Sequence, residues 1–110
     1  MDDYRCWLAQ QGRKLVVAKC GRLQCDAYER KRRNLIEAKS SQRREYIRMA
    51  VGQLLDYAFQ VREEFGESNK AILLPKQPDS DIAVWLQNLK ISIVWREGRS
   101  FLDNANGQFS

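Results

Sequence analysis

Residues 34–65 read NLIEAKSSQRREYIRMAVGQLLDYAFQVREEF, and two periods meet in this stretch. Asn34-Leu35-Ile36-Glu37-Ala38-Lys39 is an apolar-led run that ends in two charges of opposite sign. Residues two apart on a strand face the same side, so Glu37 and Lys39 point together and Ala38 turns away. After the polar break Ser40-Ser41-Gln42, apolar residues recur at three- and four-residue steps: Ile47, Val51, Leu54, Ala58, Val61 and Phe65. That spacing predicts a helix from about Arg43 to Glu64, with Ser40 or Ser41 as its cap.

Working outward, Tyr4 to Gln11 reads as a short helix broken at Gly12, and Lys14 to Cys20 as a β-branched strand ending at Gly21. Leu23 to Tyr28 is a second strand, joined to Asn34–Lys39 by the basic turn Glu29 to Arg33. Beyond the long helix, Lys70 to Leu74 reads as a buried strand stopped by Pro75 and Pro78. Asp79 or Ser80 then caps a helix through Leu89, Ile91 to Trp95 forms a fifth strand, and the polar tail from Asn104 is expected to fray. Three strands, a helix, a strand, a helix and a strand imply an α/β fold. Its mixed sheet is antiparallel in the early hairpin and parallel through the later crossovers. At 110 residues the chain is read as one domain spanning 1–110, without repeats or linkers.

Nineteen Lys and Arg against 14 acidic residues give a net charge of +5, which favours a phosphate-bearing partner. No stretch approaches the ~20 apolar residues of a membrane span, and Met1-Asp2-Asp3-Tyr4-Arg5 is too charged to open a signal peptide, so a cytoplasmic protein is expected. Cys6, Cys20 and Cys25 lack metal-site or disulfide-framework spacing and read as reduced packing residues. Histidine is absent, which excludes His-dependent triads and His-ligated zinc. Any hydrolysis must run on carboxylates, whose hard oxygens suit magnesium or manganese.

Pairing the two strands around the basic turn can bring Asp26 within reach of Glu37 and Lys39. Two carboxylates and an ammonium would converge there, a set that suits phosphodiester hydrolysis with a divalent ion. Asp26 and Glu37 would hold the ion with a backbone carbonyl near Ala38, and Lys39 would orient or deprotonate the attacking water. The bland alternative is a surface ion-pair ladder, but Leu35 and Ile36 imply a strand inside the fold, where charges rarely sit without purpose.

An acid on one strand, Glu37-x-Lys39 on the next, and a following helix with Gln53 and Tyr57 resemble the PD-(D/E)XK nuclease superfamily. Asp26 matches the first acid, with Cys25 in place of the namesake proline, Glu37 the second metal ligand and Lys39 the catalytic lysine. Gln53-Leu54-Leu55-Asp56-Tyr57 resembles the Gln-x-x-x-Tyr motif of the branch related to recombination exonucleases, and that spacing puts Gln53 and Tyr57 on one helical stripe. The resemblance covers about Leu15 to Trp95. It implies a restriction endonuclease-like sheet of about five strands flanked by helices, and a Mg²⁺- or Mn²⁺-dependent deoxyribonuclease serving restriction, defence or repair. Gln53 and Tyr57 would support the catalytic group. Asp2 and Asp3 are the candidates for the acid that many members carry on their first helix. Pairing of subunits is common in this fold, which adds a homodimer to the expectations.

Arg30, Lys31, Arg32 and Arg33 in the turn, with Arg43, Arg44 and Arg48 opening the long helix, are the expected phosphate contacts, and the helix dipole favours them. Such contacts position DNA without reading its sequence. The competing reading keeps the fold but gives it little catalysis: a module that binds nucleic acid or a partner protein in a larger complex.

Overall fold

The computed structural model describes residues 1–20 and 23–110, with the backbone alone for 18–20 and 23–26. The elements in chain order are α1 (Asp2–Ala9), β1 (Val16–Cys20), β2 (Leu23–Glu29), β3 (Asn34–Ala38), α2 (Arg44–Phe65), β4 (Asn69–Leu74), α3 (Ser80–Asn88), β5 (Ile91–Glu97) and β6 (Ser100–Asp103). The six strands form one mixed sheet in sequence order. β1–β2–β3 is an antiparallel meander, β3, β4 and β5 run parallel, and β6 returns antiparallel to β5.

The chain is therefore α/β, with three helices and six strands among the described residues, one strand more than the sequence suggests. The extra strand follows the two-residue turn Gly98-Arg99, closed by the Glu97↔Ser100 pair. Gly98 takes a positive φ of 62° there, the conformation that tight hairpins require at their first central position.

Strand alternation sorts the core into two layers. Leu35, Ile72, Leu74, Ile93 and Trp95 face α2 and α3, where they meet Ile47, Ala50, Leu54, Ile82 and Leu86. Their neighbours Ile36, Ala71, Leu73 and Val94 face the other way, against Tyr4 and Leu8 of α1 and against Phe101 and Phe109. Both parallel crossovers thus lay their helices on one face, as right-handed connections moving in one direction must. α1 and the end of the chain cover the other.

The tail does not fray. Asp103 accepts four backbone hydrogen bonds, from Ala105 N (2.8 Å) and Gly107 N (2.9 Å) on Oδ1 and from Phe109 N (2.9 Å) and Ser110 N (2.7 Å) on Oδ2. That wraps residues 104–110 into a compact hook and buries Phe109. The Tyr4 hydroxyl donates to the Phe109 carbonyl (2.6 Å), and the Trp7 indole to that of Ser110 (2.7 Å). Tail polarity misleads because these residues act through backbone amides. The cysteine expectation also needs correction at Cys6, an exposed free thiol; the side chains of Cys20 and Cys25 lie outside the described residues.

Partial burial pushes the Asp103 carboxyl up, but the amide hydrogen bonds, those of Gly107 and Ala105 foremost, outweigh it and hold the pKa at about 2. A depressed carboxyl pKa contributes stability that is complete above the unfolded value of ~3.9 and is lost as pH falls toward the folded one. Asp103→Ala should lower unfolding free energy at pH 7 by about 2–3 kcal/mol, because it strips an ionised acceptor from amides it partly buries. In urea titrations the gap between variant and parent should narrow between about pH 4 and pH 2.

Candidate active site at the carboxyl ends of the parallel strands

β3 carries the only acid buried inside the parallel strands, among the described residues. Leu35 and Glu37 share the α2 face, Ile36 and Ala38 the α1 face, and the Lys39 amide continues the ladder by donating to the Leu73 carbonyl (3.0 Å). Glu37 is 4% exposed. Its Oε2 lies 3.8 Å from the Lys39 ammonium, itself mostly shielded from water. That separation is longer than a hydrogen bond but short enough for strong attraction where the dielectric is low. Burying two charges at such a distance is costly and gives little net stability. Groups held this way mark candidate functional sites.

Asp26 belongs to β2, one residue beyond the Ala27↔Ile36 pair and so next in line toward Glu37; its side chain lies outside the described residues. Gln53 and Tyr57 occupy one flank of α2, one turn apart and half-buried. Tyr57 packs against the cluster that holds Leu35 and Tyr28. The Gln53 Oε1 is buried without a hydrogen-bond partner among the described residues, a position that costs about 1–3 kcal/mol unless something fills it. The buried carboxylate and the adjacent Ala38 main chain are hard oxygen donors of the kind a magnesium- or manganese-type ion takes.

The basic residues divide between two ends of the sheet. The turn Arg30–Arg33 sits at the amino end of β3, whereas Lys39 follows its carboxyl end, about 17 Å away for a five-residue strand. The turn arginines thus lie apart from the Glu37–Lys39 pair, because a hairpin turn lies at the opposite end of the strand from its exit. Arg32 donates to the carbonyls of Gly107 and Gln108 (both 3.1 Å), which fastens the tail, and Arg30 lies over the Phe65 ring. Lys31 and Arg33 are exposed. Arg43, Arg44 and Arg48 do stand at the site end, since α2 begins where β3 leaves off. Arg44 pairs with Asp81 and Arg43 lies 3.9 Å from Glu45.

Sequence reading missed a cleft of about 190 Å³ beside Lys39, floored by Ala38, Leu73 and Phe101 and walled by Asp3 and Arg96. Arg96 pairs with Asp3 and donates to the Gly98 carbonyl (2.9 Å). Of the two acids on α1, Asp3 is therefore the one that reaches Lys39's surroundings, with its carboxylate engaged by Arg96. The available signal was the charge that follows the apolar run at the end of β5, as at the end of β3. The carboxyl ends of parallel strands are where open α/β sheets bind ligands.

The chain matches no protein-family model, no curated protein and no solved structure.

Replacing Glu37 and Lys39 together by Leu and Met should raise unfolding free energy by about 1–4 kcal/mol, as found when buried ion pairs give way to apolar residues. Denaturant unfolding checks this; a loss of stability would make the pair a structural element instead.

Proposed function

We propose that the chain is a metal-dependent deoxyribonuclease of the PD-(D/E)XK type. The observation that carries the reading is the buried Glu37 carboxylate with the Lys39 ammonium 3.8 Å away, at the carboxyl end of β3. The order of the sheet agrees with it: an antiparallel meander whose third strand bears the pair, then parallel strands reached through helices.

In this reading Asp26, Glu37 and the Ala38 carbonyl would hold Mg²⁺ or Mn²⁺. When bound, the ion supplies an activated water and charge stabilisation at the phosphate. Lys39 orients the water and offsets charge on the phosphate oxygens. Glu37 keeps that ammonium placed, and its burial sharpens the field both groups exert. Gln53 offers its free oxygen to the water network beside them. Arg96, on the wall of the cleft, would draw in the DNA backbone without reading bases.

A second reading draws on Asp3. With its carboxylate engaged by Arg96, the one α1 acid that reaches the cleft is already paired, which favours a weakly catalytic module that binds nucleic acid or a partner in a larger complex.

Purified protein incubated with supercoiled plasmid should nick it with Mg²⁺ or Mn²⁺ and not with EDTA. Glu37→Ala and Lys39→Ala should each slow cutting by about 100-fold or more while DNA is still retarded on a gel. Retardation without cutting by the parent would select the binding module. In the same gels Arg96→Ala should weaken binding and lower its salt dependence by about one phosphate contact, whereas Arg32→Ala should act through stability.

A further inference from the structure

We infer that the outer face of α2 pairs with the same face of a second copy of this chain, antiparallel about a two-fold axis between positions 53 and 54. The unexplained feature is a glycine within a 22-residue helix. Glycine in a helix interior is disfavoured relative to alanine. At Gly52 nothing in the chain calls for it, because an added Cβ would meet no atom within 4 Å. The same face exposes apolar side chains that monomers usually cover: Leu55 is 44% exposed, Phe59 58% and Met49 57%.

Glu45, Arg48, Gly52, Leu55, Phe59 and Arg62 follow one another at alternating steps of three and four, the spacing of a helix-pairing seam. An antiparallel partner centred between 53 and 54 places Glu45 against Arg62, Arg48 against Phe59, and Leu55 against Gly52. Each pair is complementary: opposite charges, a guanidinium with an aromatic ring, and a large side chain over a position that has none. The pattern is its own complement on reversal, which a two-fold contact requires. No other reversal of this stripe opposes unlike charges and also sets Leu55 over Gly52. Within one chain Glu45 and Arg62 are about 25 Å apart along the helix and cannot meet. Arg62 already lies 3.9 Å over its own Phe59 ring, so its charge is held on this face. Gln53 and Tyr57 lie on a different flank, and the pairing leaves them and Lys39 uncovered.

Sedimentation equilibrium of the full chain tests this, with circular dichroism melts as a check on folding. The parent should dimerise reversibly. Leu55→Glu should raise the dissociation constant about tenfold or more, as loss of a central apolar contact does. Glu45→Arg and Arg62→Glu should each raise it about three- to tenfold, and the double reversal should restore it, because only the antiparallel register brings these two positions together. Gly52→Leu should weaken the dimer without lowering the melting temperature, since leucine is the better helix former. A chain that stays monomeric to about 500 µM would overturn the proposal and leave the stripe to another occupant. So would a dimer indifferent to Leu55→Glu and Gly52→Leu, or a double reversal no better than the singles.

Discussion

Burial of β3, β4 and β5 on both faces is the constraint from which the rest of the structure follows. A strand covered on one side alternates apolar and polar residues; these strands have apolar residues at both parities, Leu35 with Ile36, Ile72 with Leu73, and Ile93 with Val94. Polar side chains are then forced to the strand ends, where Lys39 and Arg96 emerge. Glu37 breaks the rule from inside β3, and a charge kept there against its solvation cost is the strongest chemical statement the chain makes.

Covering the second face falls largely to the two termini. α1 has only eight residues, too few to be stable alone, and it holds its place through Tyr4 and Leu8 and through hydrogen bonds to the tail. The tail in turn hangs on Asp103 and on a polar knot below it. There Arg13 forms a two-pronged pair with the buried Glu29 (2.7 and 2.8 Å), Asn34 donates to Glu29 (3.1 Å), and Asn34 exchanges hydrogen bonds with Gln108 (3.0 and 2.8 Å). Since α1 also carries Asp3 to the wall of the cleft, the tail reaches the candidate site through two packed elements.

What the sequence revealed followed the strength of its periodic signals. α2 was readable because six apolar positions repeat over about five turns, and β3, β4 and β5 because β-branched and leucine runs are bounded by turn residues or Pro75. β6 escaped because Phe101 is its only buried residue, too little for a period of two to register. The hook escaped for a different reason: Asp103, Asn104 and Gln108 read as solvated loop residues, and their work is done on backbone amides that hydropathy does not see. The pairing of Glu37 with Lys39 needed only strand geometry. The turn arginines stand at the far end of β3 from Lys39, a separation that closeness in sequence does not reveal.

α2 is longer than its connection requires. α3 makes the equivalent crossover in nine residues, whereas the 22 residues of α2 extend about 33 Å, as far as the longest dimension of the molecule. The strands beneath it, five to seven residues long, reach only about 17–23 Å. The surplus is not a demand of the core, which takes Ile47, Leu54, Val61 and their neighbours from one face. It gives the helix two further faces: a flank with Gln53 and Tyr57, and an outer stripe with Gly52, Leu55 and Phe59. A helix built only to connect two strands would make both of these polar, so the residues that depart from that pattern are the ones that say what α2 is for.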